Sequence, residues 1–308
     1  MHFNDTVSFL KKISNKTSTD FYIVGGCVRD HLLRQDEIDN LDITVVGDFG
    51  GFLDLFVKEL NINMESVKKS LFNTAVIDYN SITIDLVQAR REVYEKNGSL
   101  PKVFPSNLDN DLLRRDFTIN SIAFDVRSGD IIDPLCGKKD IENRIIKANR
   151  SNLFTEDPTR IFRYLKYMNR LSFKPDLDTK ENFEESLENE TLFDNVSKSR
   201  ISKEWQLILK EEARESIISD LHDKKVFKRL FKDNVKCVVS SMPYEDSKAL
   251  TLKMFYDNDT EALVKIMDTL MNGMKKREEA ALKKMKTESG FFDDTCKSFF
   301  DFIGNKRK

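Results

Sequence analysis

The sequence is poor in the residues that mark several structural classes. Its 308 residues include only 4 cysteines, 11 glycines and 6 prolines. The cysteines are far apart and form no CxxC pair, which disfavours a disulfide framework or a zinc cluster and suits a reducing compartment. The scarcity of glycine and proline excludes a collagen-like or low-complexity chain. The length predicts about two domains.

Long apolar runs and an excess of one charge are also missing. Nowhere do 18 apolar residues follow one another, and the N-terminal sequence is interrupted by charges. We therefore expect no membrane-spanning helix, no signal peptide and a cytoplasmic location. The 50 basic side chains nearly balance the 52 acidic ones, so only local positive charge could bind a nucleic acid.

The hydrophobic pattern differs between the two halves of the chain. In the first half, strand-like segments alternate with segments of helical spacing, which predicts an α/β fold. The predicted strands are residues 21–24, 41–46, 74–79 and 81–88, and a hairpin of 121–126 with 131–134. From residue 157 onward, apolar residues recur at spacings of three and four, which predicts only helices, among them 160–171, 199–221 and 261–286. We place the boundary near residue 150.

Two glycines, Gly25 and Gly26, separate the first predicted strand from a helix. Residues without a β-carbon let the backbone approach a ligand, and amides at a helix start favour an anion such as phosphate. Arg29 follows in the first helical turn and is placed to give a phosphate a charge-assisted hydrogen bond. A plain tight turn explains the same glycines without a ligand.

Two aspartates, Asp42 and Asp85, interrupt otherwise apolar predicted strands. Carboxylates in such places are costly unless they are hydrogen-bonded, paired or bound to a cation. If the two strands are neighbours, the acids predict a magnesium site, because Mg²⁺ takes a few carboxylates and leaves its other positions to water and phosphates. The alternative is that each acid lies at a strand end in solvent.

The segment Arg114, Arg115, Asp116 places two cations and an acid in an apolar context. An aspartate can accept a hydrogen bond from a ribose hydroxyl, while arginines hold phosphates or orient the acid. A structural knot of salt bridges is the alternative for this segment.

A second polar segment precedes the helix predicted at 160–171. Pro158 is expected at the first helical position, with the acids Glu156 and Asp157 just before it. Asp157 and Arg160 are three residues apart and share a helix face, where they offer an acceptor and a fork of donors to the edge of a base. A helix cap with an internal ion pair explains the same residues.

In this order, these stretches resemble the class II tRNA nucleotidyltransferases, the family of CCA-adding, CC-adding and A-adding enzymes and bacterial poly(A) polymerases. The resemblance runs from about residue 22 to 170 and continues more weakly to about 210. Its motifs are GGCVRD, LDITVVGD, IDLVQARREVYEKNGSLPKVFPS, DLLRRDFTINSIAFD, IIDPLCGKKD and EDPTRIFRYLKYMNRLSF. It implies an α/β nucleotidyltransferase palm, or head (1–148), followed by an all-α neck (149–212), body and tail (213–308).

The resemblance also implies roles for matching residues. Asp42 would bind metal, Asp85 would be a further carboxylate, and Asp116 would favour ribonucleotides through the 2′-hydroxyl. Asp157 and Arg160 would read the base of ATP or CTP. The implied nucleotide-binding residues are Gly25, Gly26, Arg29, Arg114, Arg115, Asp116, Glu156, Asp157, Arg160 and Arg163, with Glu156 steadying Arg160. Residues 199–204 are similar to a neck signature in which Arg200 and Glu204 brace a helix start.

The sequence departs from the family pattern at one position. The family has two aspartates separated by one residue, whereas here Asn40 precedes Leu41 and Asp42. Asn40 is a catalytic and metal-site candidate that offers a carbonyl oxygen but no charge, so we expect weaker binding of divalent ions. The alternatives are that residue 40 was altered to trap a complex, and a register in which Asp42 and Thr44 form the pair. Asp39 would point away from this face, because alternate residues of a strand share a side.

The resemblance implies Mg²⁺-assisted transfer of AMP or CMP from ATP or CTP to the 3′ end of tRNA, with release of pyrophosphate. The RNA partner would meet local positive charge at residues 197–236 and 275–286. A head loop near residues 61–73 would provide the flexibility that the family uses to switch from C to A. The alternatives are a catalytically silent RNA-binding paralogue, motivated by Asn40, and a poly(A) polymerase.

Overall fold

The structure, a computed structural model, describes residues 1–70 and 72–231 and divides into two compact units. The first comprises Met1–Glu95, Leu100–Leu153 and Lys174–Lys180. The second comprises Lys96–Ser99, Phe154–Phe173 and the chain from Glu181 onward. The helix predicted at 261–286 and the basic stretch at 275–286 lie outside the described residues.

The first unit is built on a seven-stranded sheet. Its strand order is β3-β4-β5-β2-β1-β8-β9, with β2 and β5 parallel and the other pairs antiparallel. The strands are β1 (Asp20–Val24), β2 (Asn40–Val46), β3 (Lys68–Ser70), β4 (Thr74–Tyr79), β5 (Ile82–Gln88), β8 (Ala123–Asp125) and β9 (Ile131–Ile132). A separate antiparallel hairpin joins β6 (Arg90–Val93) to β7 (Lys102–Pro105). The predicted strands and the 121–134 hairpin are confirmed.

Alternation along β2 separates a buried apolar side from a polar side. Leu41, Ile43 and Val45 are buried, while Asn40 and Asp42 share the other side. The helices of this unit are α1 (Phe3–Ser14), α2 (Gly26–Leu32), α3 (Phe49–Leu60), α4 (Leu108–Leu113) and α5 (Gly137–Glu142). Helix α3 packs its apolar stripe on the sheet, where the ring centroid of Phe52 lies 4.7 Å from that of Phe21 of β1. The sequence pattern did not predict α1, α4, α5 or the β6–β7 hairpin.

The second unit is helical. Its helices are α6 (Leu153–Glu156), α7 (Arg160–Leu171), α8 (Leu177–Glu188), α9 (Lys198–Leu209), α10 (Arg214–Asp223) and α11 (Val226–Phe231). The first residue of α6 and the first four residues of α8 belong to the first unit. Aromatic side chains form its core, with Tyr164 and Phe183 at 4.9 Å and Trp205 and Phe227 at 6.0 Å. Helix α7 has the predicted bounds, whereas the helix predicted at 199–221 is broken between α9 and α10.

The expectation of helices only after residue 157 needs one correction. Strand β11 (Lys174–Pro175) pairs in parallel with β10 (Ile145–Ile146), and both strands belong to the first unit. Two residues are too few for a hydrophobic period to reveal a strand. Within the described residues, no helix combines the length and apolarity that a bilayer-crossing segment requires.

Candidate active site

The diglycine turn lies directly between β1 and α2, as the sequence predicts. Gly25 caps α2 with φ of 76° and ψ of −136°, a backbone conformation that residues with a side chain rarely adopt. A β-carbon at Gly25 would lie 3.0 Å from Nη1 of Arg115 and 3.2 Å from Oδ2 of Asp42. The absence of a side chain therefore lets the turn lie against a carboxylate and a guanidinium.

Asp42 and Asp85 face each other across neighbouring strands. They are direct partners in the parallel register of β2 and β5, so their side chains project from the same side of the sheet about 5 Å apart at the backbone. Asn40 joins them, because its Nδ2 donates to Oδ2 of Asp85 at 3.4 Å. The predicted adjacency of the two strands is confirmed, and neither acid lies at an isolated strand end.

Thr44, two residues beyond Asp42, is fully buried and serves a different purpose. Its hydroxyl donates to Oδ2 of Asp111 at 3.1 Å and accepts from Nη2 of Arg115 at 3.3 Å. These bonds leave Asn40 and Asp42, rather than Asp42 and Thr44, as the strand positions beside Asp85. The alternative register therefore places its second ligand in a buried network.

Asp111 is the centre of that network and is 0% exposed. It accepts from Nε and Nη2 of Arg114 and from Nη2 of Arg115, at 2.8 to 3.0 Å. Burial alone would raise the pKa of Asp111, but the two guanidinium groups and their hydrogen bonds hold it below its ordinary value. An ionised Asp111 thus fixes Arg115 against Gly25.

Glu92 extends the ion pairs to the β6–β7 hairpin. Its Oε1 accepts from Arg114 at 3.1 Å and from Nη2 of Arg90 at 2.8 Å, while Tyr94 donates to its other oxygen. Although burial opposes ionisation, Arg114 and Arg90 lower the pKa of Glu92. The contacts of Arg114 match the salt-bridge alternative for this segment. A role of the segment in binding a nucleotide remains a prediction.

Arg29 is 2% exposed and bonded within the head. Its Nη1 donates to Oδ1 of Asn120 at 2.7 Å, and its Nε donates to Asp30 at 2.8 Å. Asn120 in turn donates to Oδ1 of Asp116 at 3.2 Å, which links the first turn of α2 to the acid expected at the ribose. In this structure Arg29 orients Asn120, and its contact with a phosphate is untested.

A thiol lies among these groups. Cys27, in the first turn of α2, is 7% exposed. Burial, followed by the negative charges of Asp42 and Asp30, raises its pKa to about 12. The thiol is therefore protonated at neutral pH and is a poor nucleophile.

In the helical unit, the polar segment before α7 differs from the predicted cap. Pro158 lies two residues before the first residue of α7 rather than at the first helical position, because Thr159 is the N-cap and α6 ends at Glu156. Arg160 is 6% exposed and pairs with Glu156 at 3.5 Å. The expected steadying of Arg160 by Glu156 agrees with this contact.

Asp157 is held by its neighbours through one oxygen. Its Oδ1 accepts from the amide and hydroxyl of Thr159, at 3.1 and 2.7 Å, and from Nη2 of Arg200 at 2.5 Å. Arg200 belongs to the first turn of α9, so the predicted bracing by this arginine is a direct contact with the predicted base-reading acid.

Glu204 and Arg163 lie in the same helical unit. Burial raises the pKa of the Glu204 carboxyl, although Arg163, Lys166 and Lys203 partly offset the effect. Arg163 is half-buried on α7, and its role in binding a nucleotide is a prediction.

In the described residues, the head offers few side chains that could bind a divalent cation. In residues 1–70 and 72–231, no group of three or more His, Cys, Asp or Glu side chains could hold a metal ion. Asp42 and Asp85 together with the amide oxygen of Asn40 nevertheless form a donor set of hard oxygens. Because Mg²⁺ is commonly held by one or two carboxylates plus substrate phosphates, this set fits an ion that binds together with a nucleotide.

Residues 61–70 and 72–73 of the predicted head loop include short regular elements, and the flexibility of this loop remains a prediction. Asn61 caps α3 in a left-handed conformation, Met64–Ser66 form a 3₁₀ turn, and β3 pairs with β4. Leu71 lies outside the described residues. Short polar strands such as Lys68–Ser70 lack the alternation that would reveal them in a sequence.

The sequence analysis missed several residues that shape the site. Asp111, Glu92, Asn120 and Gly98 each bond to a predicted site residue or to the arginine that braces it. Only Asp111 carried a readable signal, since it lies three and four residues before two arginines in a helical segment. Asn120 is four residues from Asp116, and the contacts of Glu92 and Gly98 join residues distant in sequence.

Comparisons with known proteins follow this geometry. A family model described as Poly A polymerase head domain matches residues 21–147. An A-adding tRNA nucleotidyltransferase of Aquifex aeolicus is 34% identical over 194 residues, which are 62% of this chain and 23% of that protein. One from Halalkalibacterium halodurans is 31% identical over 243 residues, 74% of this chain and 54% of that protein. The chain therefore spans from about a quarter to about half the length of these relatives.

A solved structure supports the same assignment. The structure of a tRNA nucleotidyltransferase complexed with a primer tRNA and an incoming ATP analogue has a TM-score of 0.64 and 25% identity. The match covers 91% of this chain and 80% of that one. The resemblance inferred from the motifs is confirmed, and residues 21–147 match the family model of the poly A polymerase head domain.

Proposed function

We propose that this protein is a tRNA nucleotidyltransferase, which transfers AMP or CMP from ATP or CTP to a tRNA 3′ end in the cytoplasm. The observation that carries the proposal is the in-register pair Asp42 and Asp85 beside the Gly25 turn. The names of the two relatives support addition of A, and the order of the head motifs supports the reaction class.

The head residues have distinct tasks in this proposal. The Gly25 turn and the amides of α2 receive the triphosphate, since a helix start favours anions. Arg115, whose buried Nε has no hydrogen-bond partner in the described part of the chain, offers that donor to a phosphate or ribose oxygen. Asp116 accepts the ribose 2′-hydroxyl, and the internal bonds of Arg29 keep Asn120 and Asp116 in place.

Asp42, Asp85 and the Asn40 oxygen would hold Mg²⁺, which supplies charge stabilisation at the reacting phosphate. Asp157 and Arg160 read the base, because their acceptor and donors match the hydrogen-bonding edges of adenine and cytosine. The neck, body and tail at 149–212 and 213–308 bind the RNA, assisted by the positive charge between residues 197 and 231.

The test incubates the full chain with tRNA lacking its last three nucleotides, Mg²⁺, and labelled ATP, CTP or both. We expect extension by wild type and loss of at least about a hundredfold in Asp42→Asn, because several kcal/mol of charge stabilisation disappear. The matched control is Asp39→Asn, which changes an exposed aspartate outside β2 and should retain activity. Equal activity of Asp42→Asn and wild type would contradict the proposal.

Asn40 favours one second candidate, a silent RNA-binding paralogue. Its neutral amide occupies a site position expected to carry a negative charge, and it bonds to Asp85. Binding of tRNA without extension would favour this candidate, whereas long tails from ATP alone would indicate a poly(A) polymerase.

Asn40→Asp sharpens the same question. A third carboxylate beside Asp42 and Asp85 should raise the affinity for Mn²⁺, measured by titration of the nucleotide-bound protein, and should raise the transfer rate in parallel. Unchanged Mn²⁺ affinity would show that residue 40 does not face the cation.

A further inference from the structure

A short segment of chain, Lys96–Ser99, lies within the helical unit although it connects β6 to β7 of the head. We call it the strap. It forms a turn, in which the amide and the hydroxyl of Ser99 both donate to the carbonyl of Lys96, at 3.2 and 2.7 Å. Asn195 also donates from its side chain to the carbonyl of Asn97 at 2.9 Å.

Gly98 contacts the base-reading segment from two directions. Its amide donates to the carbonyl of Glu156 at 3.0 Å, which fixes the backbone just before Asp157. Its carbonyl accepts from Nη1 of Arg200 at 2.7 Å, while Nη2 of the same guanidinium bonds to Asp157. One glycine therefore orients both the main chain and, through Arg200, the side chain of Asp157.

The Asp157 carboxylate is held in a way that suits recognition. Every hydrogen bond that it accepts within the described residues goes to Oδ1. Oδ2 is therefore available to accept from an exocyclic amino group, which adenine and cytosine carry at the edge where guanine and uracil carry a carbonyl. Immobilising one oxygen through a charge-assisted hydrogen bond from Arg200 fixes the place of the other.

Only glycine fits the strap at this position. The φ of Gly98 is +79°, and an added β-carbon would lie 3.2 Å from Cγ2 of Val196 and 3.3 Å from Cβ of Asn195. An alanine at this position would have a strained backbone, and its β-carbon would displace the strap from residues 195 and 196. That movement would displace the carbonyl that holds Arg200.

We propose that the strap is a positioning element for base selection, in which Gly98, acting through Arg200, fixes Asp157 for recognition of amino-bearing bases. The inference rests on the proposed function. It adds Gly98 as a residue that determines specificity without contacting the nucleotide, and it links the bracing expected of Arg200 to the orientation of Asp157.

The experiment measures equilibrium binding of ATP, CTP, GTP and UTP to the full chain with Mg²⁺, by calorimetry, in wild type, Gly98→Ala and Arg200→Lys. We expect wild type to prefer ATP or CTP, and both variants to reduce that preference about tenfold while binding GTP and UTP as before. Arg200→Lys keeps the charge but removes the bridge between Gly98 and Asp157. Gly129→Ala is the matched control, because it has φ of +86° but open space around its β-carbon.

The outcomes separate the two proposals. If wild type binds all four nucleotides alike, the proposed function fails and this inference fails with it. If wild type discriminates and either folded variant keeps its preference, or weakens all four nucleotides equally, the strap has only a structural role. Should Gly98→Ala not fold, the preference measured in Arg200→Lys decides between support and rejection.

Discussion

Buried carboxyl groups that lie near arginine differ between the head and the helical unit in the direction of their pKa shift. Asp111 and Glu92 have pKa values below their ordinary ones, whereas the pKa of Glu204 is raised, although cations surround all three. Asp111 and Glu92 accept direct hydrogen bonds from guanidinium groups. Glu204 has cations nearby but accepts no hydrogen bond in the described part of the chain.

The difference shows what stabilises a carboxylate away from water. Removal of solvent disfavours the charged form, and charge at a distance only partly compensates for it. A directed, charge-assisted hydrogen bond adds enough to reverse the sign. The head uses such bonds to orient Arg114 and Arg115 near Gly25, whereas burial keeps the pKa of Glu204 above its ordinary value.

The largest expected effect comes from breaking the head network at its centre. Asp111→Asn leaves the guanidinium groups of Arg114 and Arg115 without their buried anion, and we expect a loss of about 3–5 kcal/mol in unfolding free energy. Urea denaturation followed by circular dichroism measures it. Asp109→Asn, at an exposed position of α4, should stay within about 0.5 kcal/mol of wild type. Similar losses of unfolding free energy in Asp111→Asn and Asp109→Asn would contradict the central role of Asp111 in this network.

A smaller effect is expected at Glu92, with a defined pH dependence. Glu92→Gln should cost about 1–3 kcal/mol at pH 7, because charged hydrogen bonds to Arg90 and Arg114 are lost. The folded-state pKa is lower than the ordinary 4.5, so this contribution is present above pH 4.5 and disappears as pH falls through the folded value. Unfolding midpoints of wild type and variant should therefore converge in acid, and a gap that stays constant would refute the ionised state.

The smallest effect, of opposite sign in pH, is expected at Glu204. Its folded-state pKa is higher than the ordinary 4.5, so its contribution is complete below pH 4.5 and is lost as pH rises through the folded value. The unfolding midpoint of Glu204→Gln should rise relative to wild type across that window. Glu185→Gln, at an exposed position of α8, should follow the wild-type curve. Parallel curves of unfolding midpoint against pH for all three proteins would show that the pKa of Glu204 is not raised.

Local patterns predicted much of the head. Strands such as β2 and β5 follow from β-branched alternation, and the Gly25 turn follows from two glycines between a strand and a helix. The bounds of α7 follow from its 3.6-residue apolar period. The β6–β7 hairpin and α1 escaped prediction, as did the break between α9 and α10, because short or mostly polar segments carry little periodicity.

By itself, the sequence determined the fold class, the family resemblance and Asp42 and Asp85 as candidate carboxylates, because these depend on local periodicity and on motifs in a fixed order. Only the tertiary structure decided that Asp42 lies beside Asp85, that Thr44 is committed to the interior, and that Gly98 reaches Asp157 through Arg200. Those contacts join residues 43 to 102 positions apart in the sequence. Hydrogen-bond direction across such separations depends on how the elements pack, which no local pattern encodes.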